Sequence, residues 1–193
     1  MFDAMSAFGV AHHDRVVLLA LGDCPVAAID HWNFTTKAPG FGCDAFRKSA
    51  LAEIASLHPA AVVVADDAGV RNHNFANVDT LPAAYAVAEV VTLRALGAPG
   101  RHVVLMGDTP DPLTPLRGQD PTECLSIHIR NISACSFART AANALLMIAA
   151  PVAAKLAGAS FIPQTDWFCT TTTCPLVVGH TAVYLNGSHA TRH

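Results

Sequence analysis

The run VYLNGSHATRH near the carboxyl terminus places Asn186 three residues before His189, directly after the apolar segment Thr181 to Leu185. A histidine at a strand-to-helix corner, with a hydrogen-bonding side chain three positions upstream, has the make-up of a general base and its orienting partner. The same spacing also describes an ordinary polar chain terminus. Base-assisted acyl chemistry further requires a nucleophile beside the base. LGDCP (21–25) offers Cys24 on a Gly-Asp corner after an apolar run, where a helix N-terminus or a histidine would have to lower the thiol pKa. MGDTP (106–110) repeats the corner with Thr109. Glycine and aspartate both favour tight reversals, so the repetition fits turn chemistry. On that reading Cys24 is half of a disulfide and Thr109 is a turn residue.

Cys169, Cys174, His180 and His189 are conceivable zinc ligands, but the strand expected between the two histidines would spread the set, and no metal site or cofactor is expected. Asn33, Asn131 and Asn186 open Asn-X-Ser/Thr triplets of the glycosylation type. The histidines at 12, 13, 31, 58, 73, 102, 128 and 193 read as surface or loop residues. The 12 Lys and Arg form no basic run, so no nucleic-acid partner is expected.

The elements that must position these groups are legible in the apolar pattern. At 193 residues, 52% hydrophobic and 14% charged, the chain suits one domain built on a sheet covered by helices. RVVLLAL (15–21), AAVVVA (60–65) and HVVLM (102–106) read as buried parallel strands, and TAVYL (181–185) as the last strand. Helices are expected over 43–58, from an N-cap near Thr80 to Gly97, and from about Ser136 to Leu156. Alternation of this kind implies right-handed crossovers and a doubly wound α/β domain. The longest apolar run, Ala144 to Ala154, contains Pro151 and is too short to span a bilayer, which takes about 20 residues. The long loops 25–42, 66–79 and 108–135 are expected to surround a site.

Six cysteines fall as sequential neighbours: Cys24 with Cys43, Cys124 with Cys135, and Cys169 with Cys174. Local pairing is the simplest of the connectivities the sequence leaves open. Disulfides imply an oxidising compartment. The first residues, MFDAMSAFGVAHHDR, lack the basic-then-apolar pattern of a signal peptide. Either the thiols stay reduced in a cytosol or an export signal lies upstream.

Taken together, LLALGDCP, VVLMGDTPDP with the Cys124/Cys135 pair after it, and WFCTTTTCPLVVGHTAVYLNGSHATR resemble the SGNH domain fused to the C-terminus of bacterial acyltransferase-3 membrane proteins. The likeness covers nearly the whole chain and is most specific over Trp167 to Thr191. It implies a single domain over residues 1–193, a flavodoxin-like three-layer α/β/α sandwich with a mostly parallel sheet. The active site would lie at the carboxyl edge of that sheet. The implied activity is that of an SGNH-type O-acyltransferase or acyl-esterase acting on extracytoplasmic glycans or glycolipids. The acyl donor would be delivered by an acyltransferase-3 membrane domain, absent from this chain, that tethers the domain to the cell envelope.

In that family His189 would stand at the base of an Asp-X-X-His motif, with Asn186 where the aspartate belongs. The family's nucleophile block, Gly-Asp-Ser-His, is not matched, while MFDAMSAFG resembles the residues just downstream of that block. The resemblance therefore implies an N-terminally truncated sandwich, its first strand and serine upstream of Met1 and its sheet left with an exposed edge. Gly69, Asn72 and Asn74 in DDAGVRNHN (66–74) are candidate oxyanion donors. The alternatives are a catalytically inactive glycan-binding or supporting module, and an independent enzyme dependent on Cys24.

Overall fold

The computed structural model describes residues 2–22, 24–29, 32–33, 38–39, 42–65, 81–141, 145–187 and 189–191. Asp23, the loop 66–74 with its three oxyanion candidates, Thr80, and the histidines at 31, 73 and 193 lie outside the described residues.

Three short β-branched runs form the central sheet. Strands β1 (Ala61–Ala65), β2 (His102–Met106) and β3 (Ser160–Ile162) lie parallel in the order β1-β2-β3. Ala61 stands opposite His102, and Val104 opposite Ser160. Helices α1 (Phe2–His12), α2 (Cys43–Leu57), α3 (Leu81–Leu96), α4 (Pro121–Ile127), α5 (Leu145–Ala157) and α6 (Thr165–Phe168) complete the mixed α/β fold. Helix α2 stops where His58 takes a left-handed conformation, φ 47°, ahead of Pro59, because a residue before proline is disfavoured in the helical region. Among the described residues no helix is long and apolar enough to cross a membrane.

Helices α3 and α5 pack on each other and on one face of the sheet. Tyr85, Leu93, Leu105, Ala149, Ala153 and Ala154 are buried there, with Val64, Val103 and Phe161 against them. Small residues on α5 let α3 approach closely. Side chains alternate across a strand, so Ala61, Val63 and Ala65 point to the opposite face. All three are exposed, Val63 to 41%.

A second core is built around sulfur. Cys124, Cys135, Phe137, Cys174, Leu176 and Tyr184 are buried together. The pairs Cys24–Cys43, Cys124–Cys135 and Cys169–Cys174 are disulfide-bonded, with Cα separations of 5.4, 5.9 and 4.1 Å. Sequential neighbours are thus partners, and none of the cysteines is free.

Three expected elements differ. Residues 15–21 form no strand, and Leu18 is 55% exposed. A continuous apolar strand belongs inside a parallel sheet with neighbours on both sides, and among the described residues no strand pairs with β1 other than β2. The third helix begins at Leu145 rather than near Ser136, because Phe137–Ala138 pairs antiparallel with Thr173–Cys174. Arg139 then bonds the Thr170 carbonyl and the Asp166 carboxylate, which fixes that segment outside the helix. TAVYL is split: Thr181–Ala182 pairs with Val177–Val178, and Tyr184–Asn186 with His189–Ala190. Neither part joins the parallel sheet, whose third strand is Ser160–Ile162.

Two outcomes test this arrangement. Leu105→Ala, at the buried centre of β2, should lower unfolding stability by about 2–5 kcal/mol in urea titration, whereas Val63→Thr on the open face should change it by no more than about 0.5 kcal/mol. Titration of the folded, unreduced protein with a thiol reagent should detect no free cysteine.

Candidate active site

The loop that leaves β2 builds the floor of the site. The Gly107 amide continues the sheet by donating to the Ile162 carbonyl at 2.9 Å. A Cβ at Gly107 would stand 3.1 Å from the Phe161 ring, so a side chain there would press on the core. The Asp108 carboxylate accepts from the Thr109 amide at 2.7 Å and faces the Thr109 hydroxyl at 3.4 Å. This second Gly-Asp corner is therefore self-bonded turn chemistry. Asp111 folds the next turn, accepting from the Leu113 amide at 2.8 Å and the Thr114 hydroxyl at 2.9 Å. The loop ends at Asp120, which caps α4 by accepting from the Thr122 amide at 2.9 Å and its hydroxyl at 2.6 Å. Pro121 comes next, at the first helical position, where its missing N–H costs nothing.

Against this floor lies the hairpin formed by Tyr184–Asn186 and His189–Ala190. Asn186 and His189 are register partners across its turn, and the His189 Nδ1 lies 2.9 Å from the Asn186 Oδ1. The expected pair is thus brought together, but by antiparallel pairing of two short strands rather than at a strand-to-helix corner. Register partners on paired strands lie within side-chain reach, which is why a three-residue offset suffices.

Contacts at Tyr184 and Gly187 tie the hairpin to this loop. The buried Tyr184 hydroxyl donates to the Pro110 carbonyl at 2.9 Å. The Gly187 amide donates to the Asp120 carboxylate at 3.1 Å. A Cβ at Gly187 would meet the Leu113 side chain at 2.5 Å, so the turn rests directly on the loop only because that residue is glycine. Burial, then the nearby Asp111 and Asp108 charges, raise the Tyr184 pKa well above its ordinary value, which keeps the phenol a donor. The Thr122 hydroxyl, then the Thr122 amide, hold the Asp120 carboxyl below its ordinary pKa, and the Gly187 amide adds to this.

With Asn186 Oδ1 accepting, the proton of a neutral His189 ring belongs on Nδ1, and Nε2 carries the free lone pair. Such a nitrogen can take a proton from an attacking hydroxyl. The other expected groups are placed differently. Cys24 is bonded to Cys43, and a disulfide sulfur is not a thiolate nucleophile, so the Cys24-dependent reading is corrected. Cys169 and Cys174 are bonded to each other and are not open to zinc as thiolates. His180 lies exposed at the turn between Val177–Val178 and Thr181–Ala182. Asn131 is exposed, and its side chain accepts from the Ser133 hydroxyl at 2.7 Å. Sequence reasoning missed Leu113 and Asp120. An Asp-Pro-Thr helix start is readable, but its contact with Gly187, 67 residues on, is not.

Comparison with known proteins bears on the fold and the family. The chain is similar to the solved periplasmic domain of a lipopolysaccharide acetyltransferase from Salmonella ser. Paratyphi A, with a TM-score of 0.67 at 14% sequence identity, over 98% of this chain and 72% of that one. At that identity the likeness shows a shared fold. Among curated proteins, no sequence relative matches. The family model described as SGNH domain (fused to AT3 domains) matches residues 1–193, and the chain therefore belongs to that family of SGNH domains.

Proposed function

We propose that this is an SGNH-type O-acyltransferase or acyl-esterase domain, acting on extracytoplasmic glycans or glycolipids, with His189 as its base and Asn186 as the orienting partner. The observation that carries the reading is the 2.9 Å Asn186–His189 contact on a hairpin docked to the loop after β2. Ligand sites of open α/β sheets lie at that carboxyl edge. Membership in a family named for its fusion to AT3 domains supports a membrane acyltransferase as the source of the acyl group. Three disulfides support an oxidising, extracytoplasmic location.

The nucleophile in this reading is a serine on a further strand, carried by a Gly-Asp-Ser corner that residues 1–193 do not contain. That strand pairs with β1 in this reading, which fits the side of β1 that pairs with no strand among the described residues. The serine hydroxyl attacks the donor carbonyl while its proton passes to His189 Nε2. The departing group takes that proton, leaving a serine ester. A glycan hydroxyl, or water, then attacks the ester by the same exchange in reverse order.

Asn186 accepts the Nδ1 proton but, being neutral, gives the imidazolium no opposite charge. The corresponding Asp→Asn change in a Ser-His-Asp enzyme costs about 10⁴-fold in kcat. This neutral partner favours one second reading, a catalytically inactive module that binds glycan or supports its membrane partner.

Hydrolysis of p-nitrophenyl acetate separates the two. The 193-residue chain should turn over no faster than its His189→Ala variant. Joined to a segment bearing an apolar strand and a Gly-Asp-Ser corner, it should acquire activity that requires both the serine and His189. Asn186→Asp should then raise that activity, by up to about 10⁴-fold. Strong His189-dependent turnover by the chain alone would place the nucleophile within residues 1–193, and no activity in the joined protein, even with Asn186→Asp, would leave the inactive module.

A further inference from the structure

We infer that Asp120 is a positioning residue for His189, holding the hairpin turn so that the imidazole keeps its proton on Nδ1. The inference takes His189 as the base proposed above, but it concerns the state of the ring and not turnover.

The carboxylate of Asp120 fills two roles with different oxygens. Oδ1 accepts from the Thr122 amide and hydroxyl at 2.9 and 2.6 Å. Oδ2 reaches out of the helix and accepts from the Gly187 amide at 3.1 Å. Gly187 directly succeeds Asn186, whose oxygen holds the His189 ring, so the carboxylate sits one peptide from the orienting group. The anchor is itself fixed: α4 is stapled by the Cys124–Cys135 disulfide within the buried second core, and it packs against the strand Tyr184–Asn186.

Only an acceptor with two free oxygens can fill both roles. A helix cap alone would be satisfied equally by asparagine, which caps as well as aspartate. An asparagine whose oxygen takes the two Thr122 donors turns its NH2 toward the Gly187 N–H, donor against donor. The residue type at 120 therefore distinguishes capping from anchoring. Without the anchor the turn keeps Leu113 beneath it and its ladder pairing but loses the polar bond that ties the Gly187 amide to α4. The direction of the Asn186 side chain then relaxes, and His189 reverts to the tautomer mixture of a free imidazole.

Ring ¹⁵N NMR of His189 in the folded 193-residue chain, at a pH where the ring is neutral, reads this directly. The parent protein should show a protonated Nδ1 and a bare Nε2. Asp120→Asn should keep the thermal midpoint close to the parent's and move the His189 ring signals toward those of a free imidazole. Asp120→Ala should move them as far while also lowering the midpoint. Thr122→Val, which removes only a cap hydroxyl, should lower the midpoint and leave the ring unchanged. Unchanged ring signals in both Asp120 variants would overturn the inference, as would a Thr122→Val shift as large as that of Asp120→Ala, since the effect would then belong to the helix.

Discussion

Everything in this molecule depends on the strand His102–Met106 having a parallel neighbour on each side. It is the centre of the sheet, its Leu105 is fully buried under α3 and α5, and its end delivers the loop on which the hairpin rests. Parallel pairing makes the strand rigid along its length, and the Gly107 bond to Ile162 carries that order one residue past Met106. The Asn186–His189 pair would otherwise have only the weak preferences of a short hairpin, which is marginal in isolation. Here the turn inherits the rigidity of the sheet through Pro110, Leu113 and Asp120.

The division into two cores reflects composition. The helix-sheet core uses Ala, Val and Leu at close spacing, with the Cys24–Cys43 disulfide at the start of α2. The region beyond the carboxyl edge consists of two-residue ribbons, a short α4 and 3₁₀ turns, which bury too little to order themselves by area alone. Disulfides at Cys124–Cys135 and Cys169–Cys174 sit in that region, where loop-closure entropy is the larger cost. The Asn186–His189 pair is thus held next to the part of the molecule that is cross-linked at Cys124–Cys135 and Cys169–Cys174.

Much of this was legible in the sequence. The strands at 61–65 and 102–106, the α2 helix ending before Pro59, the neighbour pairing of cysteines and the meeting of Asn186 with His189 all derive from local pattern. The misleading signals were local patterns without their partners. RVVLLAL has every trait of a buried strand, yet a strand is defined by its neighbours, and among the described residues none pairs with it. Ser136 to Ala141 is compatible with helix by composition, but pairing of Phe137 with Cys174 overrides it. Ser160–Ile162 is too short to announce itself. The Asp120–Gly187 and Tyr184–Pro110 contacts join residues more than sixty positions apart, and no periodicity encodes them.

The side of β1 that pairs with no strand among the described residues also bears on how the chain behaves at high concentration. Natural sheets guard their edges with lysine, proline or a bulge so that another molecule cannot extend them. Ala61–Ala65 has none of these guards, and Val16 to Leu21 is an uncharged, proline-free hexamer of the type that stacks into cross-β aggregates. Both are presented to solvent by the same chain. Colloidal stability, rather than folding, is therefore the property this surface governs, and a single charged gatekeeper within 16–21 is the natural remedy when the domain is handled by itself.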